Sequence, residues 1–292
     1  MHRPPRSALL AFLLFAPPAA AQSGFLDDFD YDSNWATGPT QAPGGAPLYA
    51  WPSPNGLWHK VLWEWDHCLL APQGVWVDGG CCRLLVPGGS VLPGTRGAGA
   101  EIVSTAPTGH GLYEVRLRAA ERAGTDLGQG ATATLAVRAD RQGEIVLEIQ
   151  SRVSGLIGYG MGVLEVRVLR FALSDGSPLP DYRKSVLLPF DPGLEFHTYA
   201  LDWQAADATL LVDRQPVWRL SAAETWLPAP PARMRIACWT GDPGRSGSRP
   251  ESGHELRVDW ARYQPAGGAA LGLGPEPAAF AAAPACRALP PD

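Results

Sequence analysis

The amino-acid sequence predicts an all-β fold, two antiparallel sheets packed face to face, and three observations carry that prediction. The chain's 33 glycines and 29 prolines punctuate it at short intervals, and both residue types mark turns. What lies between them alternates apolar and polar residues with period two and is rich in β-branched and aromatic side chains, the signature of half-buried strands. No long segment shows the period of an amphipathic helix.

Taken in order, the chain opens with His2, Arg3 and Arg6 ahead of an apolar run from Ala8 to Ala16, and Ala19, Ala20 and Ala21 supply a small-residue cleavage site. Residues 1–21 therefore read as a secretory signal peptide. The run is far short of the ~20 residues that cross a bilayer, so a secreted or periplasmic protein without a membrane partner is expected. The stretch from Thr37 to Gly56 is rich in proline and glycine and reads as a long loop between early strands. Strands are expected at 111–119, 131–139, 143–150, 162–173, 195–203, 208–220, 232–239 and 254–263. Within "ATLLVDRQPVWRL" the apolar pattern breaks at Asp213, Arg214 and Gln215 and resumes, which reads as a hairpin with Pro216 at a strand start or edge. From Pro265 the chain is almost uncharged and rich in Ala, Gly and Pro, so residues 22–265 form the expected domain and 266–292 a tail.

Composition narrows the function. A net charge of -5 and the lack of any Lys/Arg-rich run argue against a nucleic-acid partner. Five of the 11 tryptophans fall between Trp51 and Trp76. Exposed aromatic faces stack on sugar rings, so this excess points to carbohydrate, although tryptophan also fills cores. Five cysteines in an exported chain allow disulfides and leave one over. Cys81 and Cys82 are adjacent, Cys68 is the nearest partner for either, and the connectivity stays open. Their spacing fits no zinc site.

The stretch that carries chemistry is "GEIVLEIQ", Gly143 to Gln150. Strand alternation puts Ile145, Leu147 and Ile149 on a buried face and Glu144, Val146, Glu148 and Gln150 on the opposite one. Two carboxylates on one face are either a solvated surface or a reaction centre. Their α-carbons lie ~13 Å apart along a strand, so their side chains must lean together to reach the ~5 to 5.5 Å of a retaining glycosidase pair.

Several segments, in this order, resemble glycoside hydrolase family 16: "FLDDFD" at Phe25 to Asp30 with Trp35, "GAEIVST" at Gly99 to Thr105, "GLYEVRLRA", "GEIVLEI", "FHTYALDW" at Phe196 to Trp203, "LLVDRQPV" at Leu210 to Val217, "MRIACW" at Met234 to Trp239 and "RVDWARY" at Arg257 to Tyr263. The resemblance implies a concanavalin A-like jelly-roll β-sandwich whose concave sheet lines a polysaccharide cleft. It implies a retaining endo-β-glycanase acting on β-1,3/1,4-glucan or a related polysaccharide, with Glu144 on the nucleophile and Glu148 on the acid/base of the family's Glu-x-Asp-x-Glu pattern. Val146 stands where the family has the middle aspartate. An apolar side chain there desolvates both neighbours and offers neither a hydrogen bond.

Trp239 matches a cleft-facing tryptophan of the family, with half-buried packing as the alternative. Trp58, in "PNGLWHK", is the loop-borne candidate for stacking on sugar, and His197 a candidate for a subsite or structural role. No cofactor is expected; a structural calcium near Asp27, Asp28, Asp30 and Asp32 is the alternative, although their spacing lacks the glycine and closing glutamate of an EF-hand loop. A monomer is expected. The rival reading is a lectin-like protein of the same fold whose turnover is weakened by Val146.

Overall fold

The computed structural model describes residues 23–31, 35, 48–65, 68–86, 97–119, 131–140, 142–151, 162–171, 178–240 and 253–267. The signal-like segment, the tail beyond 267 and Asp32 lie outside them.

The strand "GEIVLEIQS", β10 (Gly143–Ser151), is central to its sheet. It pairs antiparallel with β9 (Thr132–Ala139) on one side and β11 (Gly162–Phe171) on the other. Ile145, Leu147 and Ile149 are fully buried, as the alternation predicts. Nine strands form this sheet, in the order β12 (Pro178–Leu188), β11, β10, β9, β16 (Arg233–Trp239), β7 (Gly97–Ser104), β4 (Cys68–Leu70), β3 (Trp58–Trp65) and β2 (Leu48–Pro52). The second sheet runs β15 (Gln215–Ser221), β14 (Asp207–Val212), β13 (His197–Trp203), β8 (Gly111–Arg118), β17 (His254–Pro265), β6 (Cys81–Val86) and β5 (Val75–Asp78), with β1 (Phe25–Asp27) also on β17. The buried residues of β10 join those of β8 and β13, among them Tyr113, Val115, Leu117, Tyr199, Leu201 and Trp203, in one core between the sheets. This is the jelly-roll sandwich that the sequence predicts.

The hairpin between β14 and β15 turns at Asp213 and Arg214, whose φ values of 46° and 66° are the left-handed pair of a tight hairpin turn. Pro216 sits on the edge strand β15, where its missing N–H costs no ladder bond.

Two expectations need correcting. The expected loop over 37–56 contains β2, a short edge strand with a register shift beside Trp51, whose φ is 56°. Cys68 is not the partner of Cys81 or Cys82: Cys81 is disulfide-bonded, whereas Cys68, Cys82 and Cys238 are reduced and buried.

Strand β3 inverts the usual polarity. Lys60 points inward and is 1% exposed, while Val61 lies on the outer face beside Trp239. The Lys60 ammonium donates to the carbonyls of Trp35 (3.2 Å) and Val75 (2.8 Å), so one buried charge ties β3 of one sheet to β5 of the other.

Candidate active site on the outer face of the nine-stranded sheet

Register decides what surrounds the two glutamates. Glu144 lies opposite Arg138 of β9, Val146 between Ala136 of β9 and Arg167 of β11, and Glu148 between Thr134 and Glu165. One strand further, Arg235 of β16 stands opposite both Ala136 and Val103, and Ala237 opposite both Thr134 and Glu101. Because paired residues share a face, these side chains form one patch on the side of the sheet away from the core. Gly143 opens the strand with φ 153°, and a β-carbon there would come 2.0 Å from the Leu169 carbonyl oxygen.

The patch is an ion-pair lattice. Arg167 Nη1 is 3.3 Å from Glu148 Oε1, and Arg183 Nη2 is 2.6 Å from Glu165 Oε2. Arg235 donates through Nε to Glu101 Oε1 and holds its Nη1 3.8 Å from Glu144 Oε2, a charge contact rather than a hydrogen bond. Glu101 and Glu148 are each 2% exposed and Arg235 5%. The Glu144 side chain keeps 15%. A charged surface in water does not look like this, so the solvated-face alternative fails for Glu148. Burial pushes the Glu101 carboxyl above the usual carboxylate range. Arg235, and after it Arg138, pulls it down, and Glu144 adds a smaller upward push.

A model of "Glycosyl hydrolases family 16" matches residues 87–262. The chain belongs to this family. Among solved structures, a β-1,3-1,4-glucanase (lichenase) from a mouse hindgut metagenome is 20% identical, with 84% of this chain and 100% of that one covered at a TM-score of 0.57. The Bacillus licheniformis β-glucanase is 19% identical, with 85% and 100% covered at 0.56. The catalytic domain of an endo-1,3-β-glucanase (laminarinase) from Thermotoga petrophila is 16% identical, with 82% and 96% covered at 0.57. At these identities the likeness is one of fold. No curated protein matches the chain.

In this family 16 chain the remaining candidates do not gather at the glutamates. Trp239 is on the same sheet face, in the row of Thr132 and Gly99, and packs with Val61, Cys68, Leu70, Val103 and Ala237 at 8% exposure. A β-carbon on Gly99 would lie 2.6 Å from the Cys238 carbonyl oxygen and 2.8 Å from the Trp239 β-carbon, so the glycine permits the close approach of β7 to β16 at this row. Trp58 is not a loop residue: it starts β3 and is fully buried against Phe25 and Phe29, with its Nε1 donating to Asp27 Oδ2 at 2.8 Å. No ring face is left for a sugar. His197 belongs to the other sheet, where it stacks on Phe190 and pairs through Nδ1 with Asp213 Oδ2 at 2.7 Å.

Among the described residues no three His, Cys, Asp or Glu side chains come together as a metal site. The Asp27 carboxylate is occupied by Trp58, Phe29 N–H and the Tyr31 hydroxyl.

Sequence reasoning missed Arg167, Arg235, Glu101 and Glu165. Alternation alone puts Glu165 and Arg167 on one face of "GVLEVRVLRF", but only the register reveals that this face adjoins Glu148.

Proposed function

We propose that the protein is an exported glycoside hydrolase that cleaves internal β-linkages of a polysaccharide, a β-1,3/1,4-glucan or a chemical relative, by double displacement. The Glu144 carboxylate attacks the anomeric carbon while the bond to the leaving oxygen breaks, and Glu148 delivers its proton to that oxygen. Water then adds to the anomeric carbon, Glu148 takes up its proton, and the ester to Glu144 opens. The observation that carries this reading is the burial of Glu148 on the face it shares with Glu144 in a family 16 chain. A carboxyl is withdrawn from water at a stability cost, and a task for a protonated acid repays that cost. Solved relatives described as a lichenase and a laminarinase support the choice of glucan. The signal-like residues 1–21 support export.

One observation favours a second reading, a lectin-like protein that binds glycan without cleaving it. The Arg167 guanidinium beside Glu148 favours the charged carboxylate, whereas the first displacement needs the acid.

Product release from laminarin, lichenan, agarose and carrageenan separates the two. The hydrolase reading expects oligosaccharides from the parent and a loss of at least 1,000-fold, on the order expected for a missing nucleophile or acid, in both Glu144→Gln and Glu148→Gln. Intact glycans that nevertheless retard the protein in an affinity gel favour the binding reading.

A further inference from the structure

We infer that Arg235, braced by Glu101, is a positioning residue that takes over at Glu144 the supporting role left vacant by Val146. This inference rests on the hydrolase reading above. The family pattern places an acidic side chain between the two glutamates, and here that position offers no polar atom. Beside Val146 in the same cross-strand row stands Ala136, and beside Ala136 stands Arg235. A single methyl at position 136 and a branched apolar side chain at 146 leave the guanidinium a path across β9 toward β10. It ends 3.8 Å from Glu144 Oε2.

Glu101 fixes the other end of that guanidinium. It is 2% exposed and accepts from Arg235 Nε, which orients the planar group so that an Nη faces Glu144. The contact limits the rotation of the attacking carboxylate, as a nucleophile held for displacement requires. Arg138, directly opposite Glu144 on β9, is the other cation beside it. Without the Glu101 brace the guanidinium is free to turn away from Glu144, so loss of either residue loosens the same carboxylate.

The test separates positioning from folding. kcat and KM on laminarin and lichenan are compared for the parent, Arg235→Met, Arg235→Lys and Glu101→Gln, each checked for a native circular dichroism spectrum. The expected result is that Arg235→Met loses about tenfold in kcat with little change in KM, that Arg235→Lys restores most of that loss, and that Glu101→Gln gives a smaller loss of the same kind. A residue needed only for folding would lower the amount of native protein and leave kcat per native molecule in place. Should Arg235→Met fail to fold, Glu101→Gln decides: an unchanged kcat there overturns the inference. Turnover by the parent with an unchanged kcat in Arg235→Met removes the role of Arg235 alone. A parent that cleaves neither glucan removes the hydrolase reading and this inference with it.

Discussion

At the scale of single residues, the site is governed by which charges burial isolates. Glu148 and Arg167 leave water together, with side chains 3% and 9% exposed. Breaking such a pair from one side leaves an uncompensated charge, which typically costs about 3 to 5 kcal/mol. Arg167→Met is therefore expected to destabilise the protein by about that amount at neutral pH. Urea unfolding of parent and variant at pH 7 measures it. A loss below about 1 kcal/mol, the scale of an exposed pair, would mean that Arg167 contributes packing rather than charge.

At the scale of elements, β3 shows how one strand couples the two sheets. Burial pushes the Lys60 ammonium down to about 8, with Cys82 opposing. Below pH 8 lysine is charged in the folded and the unfolded chain, and the folded state bears the whole cost of burying it. Between 8 and the ordinary lysine value the unfolded chain binds more protons than the folded one, so stability rises with pH. A gap of that size corresponds to about 3 kcal/mol. Lys60→Met lacks this gain and also loses the bonds to Trp35 and Val75. The parent is expected to gain on the variant by up to about 3 kcal/mol as pH rises from 7 to 10.5, read from unfolding midpoints along that range. A difference that does not change with pH would contradict a buried ammonium at this position.

At the scale of the molecule, the sandwich was legible in the sequence because most strands bury one face and wet the other. "GEIVLEIQ" declares its buried side through Ile145, Leu147 and Ile149, and Asp213 and Arg214 declare a hairpin. The pattern fails where polarity is inverted. Lys60 inside and Val61 outside hide β3, so Trp58 read as a loop residue although it fills the core. The candidate site was half legible for a similar reason: spacing along one strand places Glu144 and Glu148 on one face. Their partners Arg138, Arg167 and Arg235 come from three other strands whose register no local pattern encodes.

In the hydrolase reading Glu144 forms a bond to sugar. Incubation of the protein with 2,4-dinitrophenyl 2-deoxy-2-fluoro-β-glycosides of cellobiose and laminaribiose, followed by intact mass and peptide mapping, tests it directly: the fluorine slows both displacements, the departing dinitrophenolate keeps the first one fast, and the ester to the enzyme accumulates. The expected result is a mass increase of one fluoroglycosyl group, mapped to Glu144 and absent from Glu144→Gln. An unlabelled protein that still binds laminarin or lichenan, or a label on another residue, would contradict it.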